Sequence, residues 1–546
     1  MMKILKQSRG NGQQQPQQLL KLTWRRICKN SQSLQAVPQE ISNISSPEIT
    51  NTKNSTFFKS IAADWEQAKP FRDIPGPTRY QMVRGYMKGG EFENISLIEL
   101  LTKCRQKYGD IYLLPGIGTA PILSIFDPVD FEKVHRTEGK YPQRPGTEAI
   151  AFWRARRKDG FFKDSLGLAG MDKDWADFRT KVNPVLMKPQ NARLYLEPML
   201  SVNDEFVQHI REIRDPVTRE VPDNFATDLT HLAFESVAVV ALNKRLGFIR
   251  SNNSQGDAQN LFDSLLIFIE SIYDLGIKPG FYQYYRTPTY RRFEKAMDNF
   301  FDISQKYVNQ ALDQFERQGR IDKGNSVLEQ LLKIDRKVAM MMAMDMMQGG
   351  VETTSSILAG ALLLLATHSE KQAKLRTEVL HALSQDKYGR FTYENMQHLP
   401  YLRACVKESM RIYPLTSGNF RSTGMDIVLG GFRVPKGTRV VLNSNLLLSE
   451  ERYFPRAKEF IPERWLRGSN SESLMTKNMS SFVFLPFGFG PRTCVGKRIA
   501  NLELELTLAN LARNFLMEFN YSRENAFKCK FINFPAIPLK FKFTDL

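Results

Sequence analysis

Cysteine and histidine are scarce in this chain, and their scarcity excludes two classes of protein. Five cysteines among 546 residues are too few and too scattered for a disulfide scaffold, and their odd number leaves at least one thiol free. None of the six histidines stands at metal-ligand spacing, which argues against a zinc hydrolase. The cysteines are Cys28, Cys104, Cys405, Cys494 and Cys529.

Acidic residues are absent from the beginning of the chain. No Asp or Glu precedes Glu40, whereas seven Lys and Arg residues do, among Gln-rich and Ser-containing stretches. A basic, acid-free and weakly amphipathic start is typical of a mitochondrial transit peptide, which we place at residues 1–39. A disordered basic tail is the alternative interpretation. Residues 40–71, rich in Ser, Asn and Thr, are predicted to be a flexible segment.

A long apolar run is also absent. The stretch Ile357–Ala366 is shorter than the roughly 18–20 residues that a transmembrane helix needs, so we expect a protein that is soluble or lies on a membrane surface. Gly276–Pro288 carries several aromatic residues beside Lys278 and Arg286. This segment is either a partly packed loop or a patch that dips into a membrane.

The chain is basic, with a net charge of +18, of which +11 remains without the first 39 residues. Its basic residues are spread along the sequence and do not form a stripe with interleaved aromatics. The pattern therefore disfavours nucleic-acid binding.

Residues 72–546 predict one mainly helical domain with small β-sheets. Lys337–Thr367 is apolar on nearly all sides, which predicts a long, buried central helix. Alternating apolar and polar residues predict a hairpin in Tyr112–Phe126 and short strands in Gly418–Asn443. A last helix is predicted over Gly496–Phe515.

A glycine-rich loop surrounds Cys494 just before that last helix. Its sequence is Phe487-Gly-Phe-Gly-Pro-Arg492-Thr-Cys494-Val-Gly496. A cysteine at a helix N-terminus feels the positive end of the helix dipole and nearby N–H donors, which favour the thiolate that a metal requires. Arg492 could reach a carboxylate of the same cofactor. The alternatives are a buried cysteine in a turn and a nucleotide loop, but no βαβ unit follows.

This loop resembles the haem-thiolate signature of the cytochrome P450 superfamily, F-G-x-G-x-R-x-C-x-G, at every fixed position. The resemblance implies the cytochrome P450 fold, in which a long central helix lies over the haem and the cysteine loop lies on the proximal side. It implies that Cys494 is the axial ligand of haem b, that Phe487 covers the sulfur side of the ring, and that Arg492 binds a propionate. A thiolate ligand favours cleavage of the O–O bond.

Further motifs follow in the order that this family has. Trp175 and Arg179 resemble the W-x-x-x-R clamp on the propionates, and Arg421 matches another propionate partner. Glu408 and Arg411 resemble the E-x-x-R pair, which Arg464, in Phe460–Trp465, would join. The family pattern implies that these last three residues form a buried network that supports the haem pocket and takes no part in catalysis.

Gly349-Gly350-Val351-Glu352-Thr353-Thr354 interrupts the long helix. Two glycines inside a helix cost about 2 kcal/mol relative to alanine and invite a bulge, and close packing between helices is the alternative explanation. The stretch resembles the family's oxygen-binding groove, although Gly349 replaces the commoner Ala and Glu352 the commoner Asp. The resemblance implies that Thr353 hydrogen-bonds dioxygen or a water and that Glu352 relays protons from solvent.

Basic residues near the predicted proximal side indicate the source of electrons. Arg403 and Lys407 precede Glu408 on one helix face, and Lys497 and Arg498 follow Cys494. On charge alone they are a solvated basic face or a site that steers an acidic carrier. They resemble the ferredoxin site of mitochondrial members, which implies a [2Fe–2S] ferredoxin served by ferredoxin reductase and NADPH.

The overall resemblance is to the mitochondrial clan of insect cytochromes P450, near its twelfth family. It implies a monooxygenase that uses O2 to hydroxylate lipophilic small molecules, either xenobiotics such as insecticides or insect hormones, on the matrix side of the inner mitochondrial membrane, with peripheral membrane contact. Two alternatives are a haem-thiolate isomerase or dehydratase, which Thr353 disfavours, and a haem sensor without enzymatic activity.

Overall fold

Helices make up most of the part of the chain that the structure describes, which confirms the predicted fold class. A computed structural model describes residues 64–546 apart from residues 94, 117–118, 250–255, 278–280, 320–325, 467–478 and 530–531. The predicted transit peptide lies outside the described residues. The α-helices of these residues are, in chain order, α1 (Arg79–Tyr86), α2 (Leu97–Tyr108), α3 (Pro128–Thr137), α4 (Glu148–Arg156), α5 (Asp172–Leu186), α6 (Arg193–Ile213), α7 (Phe225–Ala241), α8 (Asp257–Ile277), α9 (Pro288–Arg317), α10 (Val327–Ile334), α11 (Arg336–Ala366), α12 (Ser369–Leu383), α13 (Tyr393–Met396), α14 (Pro400–Ile412) and α15 (Lys497–Asn514).

Short strands form the smaller part of the fold. They are β1 (Ile111–Leu114), β2 (Ile122–Ile125), β3 (Asn419–Ser422), β4 (Ile427–Leu429), β5 (Phe432–Val434), β6 (Arg439–Leu442), β7 (Phe515–Glu518), β8 (Phe527–Cys529), β9 (Asn533–Pro535) and β10 (Lys542–Asp545).

One four-stranded sheet joins distant parts of the sequence. Its order is β1-β2-β6-β3, where β1 and β2 form the predicted antiparallel hairpin, β6 runs parallel to β2, and β3 runs antiparallel to β6. The remaining strands pair as β4–β5, β7–β10 and β8–β9. The strands predicted in Gly418–Asn443 are therefore confirmed. The sheet places β3, which carries Arg421, in one layer with β1 and β2.

The central helix is α11, as the sequence predicts. The carboxylate of Asp335 caps its first turn by accepting the N–H of Val338 at 3.0 Å. Helices α7, α9, α14 and α15 pack around it. Of the described helices, α11 alone is long and apolar enough to cross a membrane, but 78% of its most apolar window is buried inside the protein, as in the core helix of a soluble protein.

Asp345 explains one polar interruption in this helix. Its carboxylate pairs with the buried guanidinium of Arg154 on α4 and accepts the N–H of Leu168 at 3.0 Å. Arg154 also donates to the Leu166 carbonyl at 2.7 Å. These contacts hold α4 and the turn after it against α11, one turn before Gly349.

Lys69 pairs with a strand of the fold, just before the predicted start of the domain at residue 72. The N–H of Lys69 donates to the Gly431 carbonyl at 2.9 Å, and the Lys69 carbonyl accepts the N–H of Arg433 at 2.8 Å. These bonds add Lys69 to the edge of β5. The flexibility predicted for residues 40–71 stays a prediction, and residues 40–63 lie outside the described residues.

Candidate functional site

The loop before α15 places Cys494 at the entrance of a helix. The N–H of Cys494 donates to the Phe487 carbonyl at 2.9 Å, which closes the loop at its base. Gly488 and Gly490 adopt φ values of +73° and +69°, in the left-handed region that glycine enters without steric cost. Helix α15 begins three residues after Cys494, so the thiol lies near its free N–H groups.

Cys494 is accessible to solvent and lies among cationic side chains. Burial raises the pKa of the Cys494 thiol, whereas the Gly496 N–H and the cations of Arg179, Arg144 and Lys497 lower it. The protein thus supplies cations and an N–H group that stabilise a thiolate, and a metal ion bound to the sulfur would add to them.

Three of the predicted haem-binding residues lie close to the Cys494 loop: Trp175, Arg179 and Arg492. Trp175 and Arg179 lie one turn apart on α5, and both are buried. The guanidinium of Arg492 lies 3.7 Å from the centre of the Trp175 indole, and its Nε donates to the Pro142 carbonyl at 2.7 Å. Arg179 donates to the Thr493 carbonyl at 2.5 Å, which fixes the residue next to Cys494. The structure therefore brings these predicted residues together.

Arg421 and Arg144 complete a cluster of four arginines with Arg179 and Arg492. Burial, together with the positive charges of Arg144, Arg421 and Arg179, lowers the pKa of Arg492 to about 9. Burial also lowers the pKa of Arg179 to about 10. Among the described residues, the one carboxylate in contact with the cluster is Glu138, 2.6 Å from Nε of Arg421. Three positive charges thus lack a carboxylate partner, and the cluster fits a buried dianion such as the two haem propionates.

Arg144 is a site residue that the sequence analysis missed. It lies two residues after Pro142, which holds Arg492, and the charges of both Arg421 and Cys494 act on its guanidinium. Its only signal in the sequence is a single arginine in a proline-rich turn, Tyr141-Pro142-Gln143-Arg144-Pro145. Such a turn is too common to indicate a function.

Helix α11 is regular where the sequence predicts a bulge. Residues 336–366 are α-helical throughout, so the expected bulge at the two glycines is wrong. A Cβ atom at Gly349 would meet nothing within 4 Å, whereas a Cβ atom at Gly350 would lie 2.9 Å from Cγ2 of Val237 on α7. The helix stays regular because neither position is strained: the space around Gly349 is open, and the missing side chain of Gly350 permits close packing against α7.

Thr353 and Glu352 face different spaces. The hydroxyl of Thr353 donates to the Gly349 carbonyl at 2.7 Å, so it lies on the same helix face as Gly349. Glu352 lines a cleft of about 220 Å³ that opens to solvent between α7, α8 and β9. Burial raises the pKa of Glu352. A carboxyl group that protonates more readily therefore lies between solvent and the helix that carries Thr353.

Glu408 is the centre of a buried ionic network. Its carboxylate pairs with Arg411 at 2.8 Å and with Arg464 at 3.0 Å, and it accepts the indole N–H of Trp465 at 2.8 Å. Arg411 also donates to the carbonyls of Leu448 and other residues of the same loop. The two guanidiniums share this one carboxylate and also donate to backbone carbonyls, so the network fixes the loop before the Cys494 segment in one geometry. The three residues that the sequence groups together do meet.

The four basic residues proposed for docking are not equivalent. Lys407 and Arg498 are exposed, and Lys497 is half-buried with its ammonium 5.6 Å from the Phe487 ring. Arg403 instead pairs with Glu505 on α15 at 3.2 Å and donates to the carbonyls of Gln397 and Met396. The structure therefore ties Arg403 to its own chain, at the end of α13.

Comparison with known proteins gives a consistent result. Residues 75–543 match the profile of the family described as cytochrome P450. The chain is 50% identical over 509 residues to "Probable cytochrome P450 12c1, mitochondrial" of Drosophila melanogaster, across 91% of this chain and 97% of the relative. It is 43% identical over 508 residues to "Cytochrome P450 CYP12A2" of Musca domestica, across 90% and 94% of the two chains.

A solved structure supports the architecture alone. The crystal structure of the cytochrome P450DA haem domain superposes with a TM-score of 0.68, covering 87% of this chain and 96% of that chain at 18% identity. At this identity the likeness shows a shared arrangement of helices and small sheets, in agreement with the fold described above.

Proposed function

Because this chain belongs to the cytochrome P450 family, it is a haem-thiolate monooxygenase, and we propose that it hydroxylates lipophilic small molecules with electrons from a ferredoxin. The bound haem, haem b in this proposal, supplies activation of O2, so that one oxygen atom enters a C–H bond and the other leaves as water after uptake of two electrons and two protons. Every residue role below is part of the same proposal.

Cys494 holds the iron and the arginine cluster holds the propionates. The observation that carries this assignment is the concentration of positive charge beside an accessible thiol at a helix N-terminus. Trp175 fixes the Arg492 guanidinium through their stacked contact, and Phe487 closes the base of the cysteine loop. Glu408, Arg411 and Arg464 keep the preceding loop in place and do not touch the reacting atoms.

The carbon monoxide difference spectrum of the reduced protein tests this assignment. We expect a Soret band at the position typical of a thiolate ligand, and we expect Cys494→Ala to lose it. Cys104→Ala removes another free thiol, one that is buried, and should keep the band; it serves as the control. An unchanged band in Cys494→Ala would show that another side chain holds the metal.

Proton delivery falls to Glu352 and Thr353. Glu352 takes protons from the cleft that opens to solvent, and its raised pKa suits a group that both accepts and releases them. Thr353 lies on the same helix face as Gly349, where its hydroxyl can orient dioxygen or a water. The two residues are neighbours on α11, so the proposed proton path runs from the Glu352 carboxyl group to the Thr353 hydroxyl.

A mitochondrial [2Fe–2S] ferredoxin, supplied by ferredoxin reductase and NADPH, is the proposed electron donor. Support comes from the exposed cations Lys407 and Arg498 beside Lys497, and from relatives whose names include the word mitochondrial. Opposite charges on the two partners would steer their encounter. We accordingly place the enzyme in the mitochondrion, on the matrix side.

Peripheral contact with the inner membrane is the second part of the proposed location. Phe281, Tyr284 and Tyr285 expose 43%, 81% and 61% of their surface after α8, next to Arg286. Exposed aromatic rings beside a cation suit the boundary between lipid headgroups and acyl chains. The substrates are proposed to be insecticide-like xenobiotics or insect hormones, which spin-state titrations with insecticides and ecdysteroids would separate.

A further inference from the structure

Glu138 lies inside the arginine cluster that we assign to the haem propionates. It follows α3 directly and is buried, with 6% of its surface exposed. Its Oε1 atom lies 2.6 Å from Nε of Arg421, while its Oε2 atom has no hydrogen-bond partner. The contact with Arg421 is an ion pair with poor hydrogen-bond geometry, because Nε of Arg421 also lacks a well-aligned acceptor.

His135 contacts the same oxygen of this carboxylate that faces Arg421. Its Nδ1 atom lies 3.2 Å from Oε1 of Glu138, and the residue is buried. The His135 ring packs against Phe482 and against Phe489 of the cysteine loop, with centroid separations of 5.9 and 5.5 Å. Glu138 is therefore fixed between α3, β3 and the loop that carries Cys494.

The charges around Glu138 do not balance within the protein. Arg144, Arg179, Arg421 and Arg492 contribute four positive charges, and Glu138 contributes one negative charge. Buried charges that lack partners are costly, so removing one partner of a buried pair is strongly destabilising. Two propionates would neutralise two of the three positive charges that remain. The net charge of the cluster therefore differs before and after haem binding.

We propose that Glu138 sets the charge of this pocket: it neutralises Arg421 before haem arrives and, once haem is bound, holds the reduction potential of the iron at a lower value. The inference rests on the proposed function, because the group that completes the cluster is the haem. Glu138 is a positioning residue that acts through Arg421. It does not touch the reacting atoms.

The variant Glu138→Gln removes the negative charge of this side chain and keeps its shape. Glutamine keeps an oxygen that can face Arg421 and His135 but removes the negative charge. Without haem, the variant's cluster contains three buried arginines, the exposed Arg144 and no anion, so its unfolding temperature should fall. With haem, the propionates compensate, so the fall should be smaller. By the same thermodynamic cycle, the variant must bind haem more tightly than the parent protein. We expect the tighter binding to appear as slower release of haem.

The reduction potential is the readout that a purely structural residue would not move. Reduction adds an electron, and an anion nearby opposes that addition. Removing the charge of Glu138 should therefore shift the potential of the haem iron to a more positive value. Glu138→Asp, which restores the charge, should return the potential towards that of the parent protein.

The experiment compares the full chain with Glu138→Gln, Glu138→Asp and Glu132→Gln. Glu132 is a control on the same helix, paired with Arg136 near the surface. For each protein, thermal unfolding is measured with and without haem, haem release is followed by transfer to apomyoglobin, and the potential is measured by spectroelectrochemistry. We expect Glu138→Gln alone to show the larger loss without haem, severalfold slower release and the positive shift.

Three results would overturn the inference. Equal destabilisation with and without haem, together with an unchanged potential, would make Glu138 a purely structural residue. An unfolded Glu138→Gln protein even with haem supplied would contradict compensation by the propionates. An equal shift in Glu138→Asp would show that charge is not the cause. Failure of the parent protein to take up haem would instead contradict the proposed function, so the two failures are distinguishable.

Discussion

At the scale of single residues, Glu352 and Thr353 point in different directions from α11, and this difference separates their proposed roles in proton delivery. Successive residues of an α-helix point about 100° apart, so the neighbours Glu352 and Thr353 cannot face the same space. Glu352 faces the cleft that opens to solvent, while the Thr353 hydroxyl lies over the Gly349 carbonyl. In the proposed mechanism, these adjacent positions would relay a proton from solvent to the helix face of Gly349.

Replacement of Thr353 tests this division. In Thr353→Ala we expect the product formed per NADPH to fall by up to about a hundredfold, the low end of what a positioned proton-transfer group contributes. NADPH consumption should continue, because electron delivery does not depend on this hydroxyl. Measuring NADPH, peroxide and product together gives the coupling. Thr353→Ser keeps the hydroxyl and is the matched control, and normal coupling in the alanine variant would remove the proposed role.

The residues of the site differ in how far the sequence reveals them. Cys494 can be identified because ten consecutive residues carry one signature, and the glycine φ values show why the spacing is fixed. Arg144 and Glu138 cannot be identified in this way, since each is a single charged residue in a turn or at a helix end. Their roles arise from charges that meet only in three dimensions, next to Arg421, more than 270 positions away.

At the scale of elements, the long helix follows from composition, but its local geometry does not. An all-round apolar pattern predicts a buried helix, and Arg336–Ala366 confirms it within one residue at each end. Two adjacent glycines predict a bulge only if the helix must relieve strain there. Gly349 has no neighbour and Gly350 has the side chain of Val237, so neither position needs a distorted backbone.

The two glycines should therefore respond oppositely to alanine. Gly349→Ala should stabilise the protein by roughly 0.8–1.0 kcal/mol, the difference in helix propensity, because its new Cβ atom meets nothing. Gly350→Ala should destabilise it by about 1–3 kcal/mol, since the new atom overpacks against Val237. Urea unfolding of the haem-bound full chain measures both effects.

A double variant serves as the control for Gly350→Ala. Replacing Val237 by alanine removes the Cγ2 atom that the new Cβ would meet at 2.9 Å. If overpacking is the cause, Gly350→Ala should cost less in the Val237→Ala background than in the parent protein. The same cost in both backgrounds would contradict the packing explanation and leave backbone geometry as the cause.

At the scale of the whole molecule, pairing between distant segments determines the architecture. The hairpin β1–β2 is visible in the sequence because its strands are neighbours, whereas the parallel pairing of β2 with β6 joins segments about 300 residues apart. Periodicity within a segment carries no information on its partner. The pairing nevertheless positions the site, because it brings β3 with Arg421 beside β6 and α3 with Glu138 after β2.

The predicted ferredoxin surface shows that a charge pattern in the sequence also does not reveal the partners of each charge. Sequence spacing places Arg403 and Lys407 on one face of α14, but only the structure shows that Arg403 is bonded to Glu505 and to the end of α13. A cation held by three acceptors of its own chain contributes less to a partner surface than an exposed one. The predicted ferredoxin surface therefore reduces to Lys407, Lys497 and Arg498.

Charge-neutral variants of these residues test the docking surface. We expect Lys407→Gln and Arg498→Gln each to raise the apparent Michaelis constant for ferredoxin by roughly tenfold at low salt, the low end of electrostatic steering. The effect should shrink as salt screens the charges. Lys295→Gln, an exposed lysine on α9 outside this surface, should change nothing. Titrations with ferredoxin at several ionic strengths provide the measurement.

Arg403→Gln should behave differently from both. Because its guanidinium joins α14 to Glu505 and to the Met396 carbonyl, its loss should lower the unfolding midpoint by more than it changes the salt dependence of ferredoxin titration. A steep, salt-dependent rise in the Michaelis constant with unchanged stability would place Arg403 in the docking surface after all. If Lys407→Gln and Arg498→Gln leave the constant unchanged at low salt, electrons enter through another surface.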